Sequence, residues 1–531
     1  MVEMSAYHGR GLALLGAMLI AGCAAFTLLS DLFSYDYYVM MMPIRGLILS
    51  LLAAGAVYLA AAGLLLDAVA LADPRAHPRR LGAAPERALG DLVHSGDRLL
   101  IGIFLVGLAC RCILLASEPA LEDDYQRYLW DGAVTAAGLN PFAVSPEAAQ
   151  ASTPPSIYAA LASQSGVVLE RVNHPELRSI YPPVAQAGFA IAHWLAPFSL
   201  YAWKVVCLAA DVATFWLLLA LLRAVAQPAA LVLLYWWNPV VLKELFNSAH
   251  MEALLVPLVL GALLAAVSNR HLLGSILLAL AAGVKVWPVL LLPLLWIGLL
   301  NKPVRLLTAM AVTALLLVLL ALPIVLAGLN DDSGFVAYAK EWQTNSALFP
   351  ALVGGAISLF GETLALSFMG MSESVPTNSA VRALLAASAG ISALAMAAWY
   401  WRRRSYGSLG PMPGEDAALS DTAQDARQLL FAAAVTVIMI WLLSPAQFPW
   451  YAVWALMFAP LVPSYGLLAA SFTLPLYYAA FHLSWQDRGD EFRGVIVWLI
   501  WLPIWAGLTI DLIKRALRFS DAAVERRLGV A

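Results

Sequence analysis

The chain has 531 residues, of which 62% are hydrophobic and only 12% charged, with a mean hydropathy of +0.79. A soluble domain carries about 25% charged residues, so a soluble globular fold is excluded and an integral membrane protein is expected. The net charge of −3 says nothing about partners, and no basic stripe points to nucleic acid.

Near the N-terminus, Arg10 precedes an apolar run ending Leu19-Ile20-Ala21-Gly22-Cys23, a pattern shared with lipoprotein signal sequences. The apolar character continues to Leu29, which favours a retained first span. Apolar segments then recur at 43–66, 99–116, 201–222, 228–243, 252–268, 272–284, 286–300, 305–327, 379–400, 428–443, 450–462, 466–483 and 494–512. Several fall short of the roughly 20 residues that cross a bilayer. The expected fold is all-α, a polytopic membrane helix bundle of about 12–14 transmembrane helices. It divides into N-terminal spans (1–116) with an arginine/proline loop at 67–98, a long outer loop (117–200), a central transmembrane module (201–400), a linker (401–427) and C-terminal spans with a basic tail (428–531). Cys23, Cys110, Cys112 and Cys207 lie in or beside apolar segments without metal-ligand spacing and are read as reduced thiols.

Charge orients the bundle. With the N-terminus inside, 19 of the 31 Lys and Arg fall in cytoplasmic segments, among them Arg402, Arg403, Arg404 and Arg427, as the positive-inside rule requires. The segment Pro183–Pro197 is apolar but short, and it contains Gln186, His193 and Trp194. Were it a span, every later loop would change sides against the charge rule. It is therefore expected to be an interfacial helix within one long periplasmic loop.

Unusual polar residues then collect on the outer face: Glu122, Asp123, Asp124, Arg127 and Asp131, followed by Tyr181, by Lys243, Glu244, Asn247, His250 and Glu252, and by Lys285. Asp124, Arg127, Tyr128 and Asp131 fall at i, i+3, i+4 and i+7, one face of a helix. Carboxylates at a membrane edge need partners or a task. They could pin a surface helix through i,i+4 ion pairs (Asp123 with Arg127, Arg127 with Asp131) or act as an acid/base site. Lys285, before Trp-Pro between two short apolar segments, is costly without an anion, so phosphate binding competes with snorkelling. His250 reads by default as a satisfied polar residue, and Trp450 and Tyr451 as interfacial aromatics. No His/Cys/Asp spacing supports zinc, and no glycine-rich loop supports a nucleotide site. An enzyme on this face would draw an activated donor from the membrane, and a lipid-linked sugar phosphate meets that need.

The run Glu122-Asp-Asp-Tyr-Gln-Arg-Tyr-Leu-Trp-Asp-Gly132, with Gly138-Leu-Asn-Pro-Phe142, Asn173-His-Pro175 and Ile180-Tyr-Pro-Pro-Val-Ala-Gln186, resembles bacterial polyprenol-phosphate-dependent mannosyltransferases. These belong to the C-type superfamily of multi-span glycosyltransferases. Trp237-Asn-Pro239, Asn247-Ser-Ala-His250, Gly283-Val-Lys-Val-Trp-Pro288 and Gln447-Phe-Pro-Trp-Tyr451 follow in the order such proteins show. The resemblance covers roughly residues 100–460 and implies a helical bundle with interfacial helices in the first outer loop. It also implies an aspartate of the acidic motif as catalytic base, Asp124 or Asp123, with Asp124 favoured because it shares a helical face with Arg127 and Asp131. Arg127, Asp131, Tyr181, His250, Lys285 and Tyr451 become the expected donor-phosphate and substrate residues.

The expected activity is inverting transfer of a hexose, mannose first, from a polyprenyl-phosphate sugar to a lipid- or glycan-linked acceptor at the periplasmic face of a bacterial inner membrane. No cofactor is assigned from the sequence; a divalent cation is compatible with the Asp123/Asp124 pair, whose need for a metal stays open, and no metal ligand is named. The rival readings are a transporter or lipid flippase using Arg111 and Asp211 as intramembrane charges, and a non-catalytic envelope scaffold.

Overall fold

Long runs of Leu, Ala and Val form continuous helices here because in hydrocarbon each backbone N–H must be satisfied within its own segment. A computed structural model describes residues 2–34, 38–72, 85–368, 371–405 and 420–528 of the chain. Residues 73–84 of the expected arginine/proline loop and 406–419 of the expected linker lie outside the described residues. Among those described, nine helices are long and apolar enough to cross a membrane: His8–Phe33, Ile44–Leu71, Arg98–Leu115, Leu200–Ala224, Pro303–Ala327, Thr377–Ser405, Asp421–Leu443, Tyr465–Trp485 and Gly489–Leu517. The protein is an all-α polytopic membrane bundle.

The remaining expected spans take other forms, for local reasons. Segment 228–243 becomes two helices, Ala229–Trp236 and Pro239–Asn247, bent by 55°. Pro239 has no N–H to continue the helix, and Asn238 caps the second half by accepting from the Val240 and Val241 amides. The Trp236 carbonyl released at the break accepts from Arg111 Nη1 at 2.7 Å. Glu252–Val267, His271–Ala282 and Trp287–Leu299 are shorter apolar helices. At 1.5 Å per residue they reach roughly 18–24 Å, less than the ~30 Å hydrocarbon core. Residues 449–456 form a further short helical stretch.

Despite their shortness these segments still alternate between two ends of the bundle. Residues from the turn after the first helix (Ser34, Val39), from the acidic motif, from the 251 and 284–286 turns, and from the starts or ends of helices 377–405 and 421–443 all reach one cavity. At the opposite end, Arg427 donates to the Val225 carbonyl at 2.7 Å and Arg404 pairs with Asp425 at 2.9 Å.

The long loop is folded. It carries helix Asp124–Ala136, two short helices at Pro146–Gln150 and Ile157–Gln164, and helix Pro183–Leu195. This last helix has 13 residues, buries Gln186, Gly188 and Phe189 on one face, and exposes Ile191, Trp194 and Leu195 on the other. It packs tightly across helix 124–136, and a Cβ at Gly132 would collide with the Phe189 carbonyl. A two-stranded antiparallel hairpin, Thr363–Phe368 with Met371–Pro376, was not expected from the sequence; it precedes the 377–405 helix.

Candidate active site

The acidic motif is held in place from several directions. Asn247 accepts from the Ala120 amide through Oδ1 at 3.0 Å, and its Nδ2 donates to Ser117 Oγ and the Glu118 carbonyl. Leu121 turns the chain in the left-handed region (φ 56°), after which Glu122 points inward and is almost fully buried. Asp123 occupies the N-cap of helix 124–136, but its carboxylate makes no capping bond. Instead Asn173 Nδ2 donates to both Asp123 Oδ1 (2.9 Å) and Asp124 Oδ1 (3.1 Å), which keeps the two carboxylates side by side.

The bent segment supplies the counter-charges. Over Lys243–Asn247 the helix widens into a turn closed five residues on, a form that recurs at functional sites. The chain then passes through Ala249 (φ 60°) and places His250 under the motif. The imidazole is fully buried and stacked on Trp450 at 3.8 Å. Its Nδ1 lies 3.9 Å from Asp124 Oδ2, and its Nε2 lies 3.5 Å from Glu122 and 3.8 Å from Glu244. Lys243 Nζ sits 3.5 Å from Glu122 and 3.6 Å from Glu244, and it bonds to Ser248 Oγ and the Tyr478 hydroxyl. That hydroxyl donates to Glu244 at 2.9 Å.

Glu122, Glu244 and His250 have donor atoms within 4.8 Å of one another and could hold a metal ion. The Lys243 ammonium already lies between the two carboxylates, so a divalent ion there would have to displace a cation.

Lys285 is delivered by the turn after helix 271–282. The Gly283 carbonyl accepts from the Val184 and Ala185 amides, the orphan donors of helix 183–195, and so ties that turn to the long loop. Lys285 Nζ lies 3.0 Å from Glu252 and 3.9 Å from the Tyr451 ring centre. The Tyr451 hydroxyl is in turn bonded to Tyr338 at 2.9 Å.

Electrostatics separate the carboxylates. Burial, reinforced by the Asp124 and Glu122 charges, raises the Asp123 carboxyl to a pKa of about 7. Asp124 is also raised, first by burial and then by Glu122, against the opposing pull of His250, Asn173 and Lys285. Burial would lift Glu122 too, but Lys243 and His250 outweigh it and hold that carboxyl low. Burial alone would depress His250; the surrounding Glu122, Asp124 and Glu252 carboxylates raise it instead. The site thus pairs a stably ionised carboxylate and a protonation-prone histidine with two aspartates of raised basicity, an arrangement suited to proton removal near neutral pH.

These groups face a cavity of about 820 Å³, within the usual range for small-molecule sites. Of the residues expected from sequence, Asp123, Asp124, Arg127, Tyr181, Lys285 and Tyr451 line it, and His250 lies directly behind Trp450, which does. Asp131 is not at the wall. It accepts from Arg127 Nε (3.1 Å), Gln186 Nε2 (3.1 Å) and the Ser179 hydroxyl, and so joins helix 124–136 to helix 183–195. Arg127 forms its ion pair with Asp131 and donates to the Leu177 carbonyl at 2.6 Å.

Sequence reasoning did not single out Tyr478, Asn173 as a carboxylate clamp, or Arg382 at the cavity wall. Asn173 stands in a motif that could have flagged it; Tyr478 and Arg382 sit in apolar helices with no local signal.

Comparison with known proteins agrees with this picture over part of the chain. The model of glycosyltransferase family 87 matches residues 180–410. This similarity to membrane glycosyltransferases takes in Tyr181, His250 and Lys285 and leaves out the acidic motif. No curated protein and no solved structure matches the chain.

Proposed function

We propose that the protein is an inverting glycosyltransferase that moves a hexose, mannose first, from a polyprenyl-phosphate carrier to a lipid- or glycan-linked acceptor. The cavity faces the periplasm of a bacterial inner membrane. The observation that carries this reading is the placement of Asp123 and Asp124, both of raised basicity, on a cavity whose other walls hold cations and apolar helix faces. Asp124, backed by His250, accepts the proton of the acceptor hydroxyl. The oxygen attacks the anomeric carbon from the side opposite the phosphate, and the carbon–oxygen bond to phosphate breaks. Polyprenyl phosphate leaves with the bonding electron pair, its charge stabilised by fixed cationic and N–H donors such as Lys285.

The transporter reading is disfavoured by the intramembrane charges it would use. Arg111 Nε and Asp211 Oδ2 pair at 2.7 Å, both fully buried, with Tyr235 donating to Asp211 and the guanidinium over Trp236 at 3.5 Å. They stabilise the bent segment and do not line the cavity. The test uses purified protein in nanodiscs with undecaprenyl-phosphate-linked radiolabelled mannose and a membrane lipid extract. Covalent transfer with release of undecaprenyl phosphate supports the reading. Mannose movement across liposomes without covalent product, or transfer only from a nucleotide sugar, contradicts it.

A further inference from the structure

Two aromatic side chains meet on the cavity wall while staying in reach of water. His174 takes a left-handed backbone (φ 47°), and its imidazole is 55% exposed. It lines the cavity and packs edge-to-face on Trp342, with ring centres 4.9 Å apart and planes inclined at 61°. Trp342 follows helix Gly334–Glu341 and is held from two sides. Its carbonyl accepts from Arg382 Nη1 at 2.9 Å, and its indole leans on Tyr338 at 5.9 Å. The indole is nevertheless only half-buried and lines the cavity, and its N–H has no acceptor among the described residues. The N–H groups of Trp287 and Trp454, on the same cavity, are sealed within protein; that of Trp342 is not. A ring with an apolar body and an open polar tip suits a surface that is apolar on one side and wet on the other.

The flanking residues say what such a surface can hold. On the segments that carry the two rings, the exposed charged side chains are Glu176, Asp331, Asp332 and Glu341 against Lys340. A hydrocarbon tail laid here would remain in water, and a phosphate would meet charge of its own sign. A neutral sugar meets neither objection. The C–H face of a pyranose rests on the electron-rich face of an aromatic ring, and its hydroxyls can accept from the indole N–H and donate to the rim carboxylates. The position also fits. Asn173, the residue before His174, donates to both Asp123 and Asp124, so a saccharide lying on the rings extends toward the proposed base.

We propose that Trp342 and His174 form a saccharide platform that holds the acceptor, which is therefore an uncharged glycan and not a bare lipid. This deepens the function proposed above and rests on it for the role of the ligand, while the binding experiment does not require turnover. Saturation-transfer NMR of the protein in nanodiscs measures the affinity of three neutral probes, mannotriose, chitotriose and maltotriose, and of the anionic trigalacturonate. The proteins compared are wild type, W342F, W342A, H174N and D124N. At least one neutral trisaccharide should saturate wild type, and W342A should weaken it roughly tenfold or more. W342F, which keeps a ring and loses the N–H, should fall between them. H174N, whose new residue accepts the left-handed backbone but offers no ring, should also weaken binding. D124N should bind as wild type does, so a failure of the catalytic reading leaves this result intact. Unchanged affinity in W342A, with thermal melting like wild type, overturns the proposal. So does the absence of saturable binding by any neutral probe, or tighter binding of trigalacturonate than of all three.

Discussion

Replacing Asp124 by Asn removes the proposed base while changing little else. The amide oxygen still accepts from Asn173, which holds the wild-type carboxylate at 3.1 Å. The charge removed is repelled by Glu122 and Asp123 and attracted by His250 and Lys285, so its loss is close to neutral for folding. Stability should stay within about 1 kcal/mol of wild type, as for substitutions that leave no orphaned partner. Catalysis should suffer far more. A positioned base contributes roughly 10²- to 10⁴-fold, equivalent to about 2.7–5.4 kcal/mol of barrier. The assay is single-turnover transfer from labelled polyprenyl-phosphate mannose in nanodiscs, with D123N alongside and lipid binding measured separately. D124N should lose at least a hundredfold in kcat and keep its affinity for undecaprenyl phosphate. Turnover within threefold of wild type would refute the assignment, and if D123N were then the inactive variant the base would be Asp123.

The pH profile carries a second signature. Asp124 must be unprotonated to act and burial raises its carboxyl, so kcat/KM should climb with pH along a limb displaced above the ordinary carboxylate range. E122Q removes a negative charge that raises both carboxyls; the rising limb should therefore move to lower pH, and a limb that stays put or moves upward counts against the cluster. Because the Lys243 ammonium already sits between Glu122 and Glu244, where a metal ion would have to go, activity should survive exhaustive treatment with EDTA. A loss restored by a divalent ion would show that Glu122, Glu244 and His250 hold a metal. In the membrane interior, R111L strands the Asp211 charge and should cost about 3–5 kcal/mol, seen as a much lower melting temperature, whereas R111L/D211L should recover most of it. Equal melting of the single and double variants would contradict a structural pair.

Much of the architecture is legible in the sequence because membrane helices are specified by composition over long windows. The Pro183–Leu195 helix is an example: its shortness and its Gln186, His193 and Trp194 argue against a span, and the structure has a 13-residue helix there that is not among the candidate spans. Segment length misleads where proline and glycine cut the chain. Residues 228–300 read as four spans, yet Pro239, Gly283 and Pro288 divide them into a bent pair and short helices that the neighbouring spans enclose. For the site, helical spacing places Asp124, Arg127 and Tyr128 together on the cavity, but the same spacing cannot say that the next turn is covered. Asp131 is turned toward Ser179 and Gln186 because helix 183–195 crosses at Gly132, a tertiary fact. Arg382 comes to the cavity, and Tyr478 to the Lys243–Glu244 cluster, from helices distant in sequence, so no local pattern marks them.

The account as a whole turns on where the lipid carrier sits. A cryo-electron-microscopy map of the D124N protein with a polyprenyl-phosphate mannose analogue should place the phosphate against Lys285 and the sugar beside position 124. Density for the phosphate at the opposite end of the bundle, near Arg404 and Arg427, or a cavity that stays empty at saturating analogue, would contradict it.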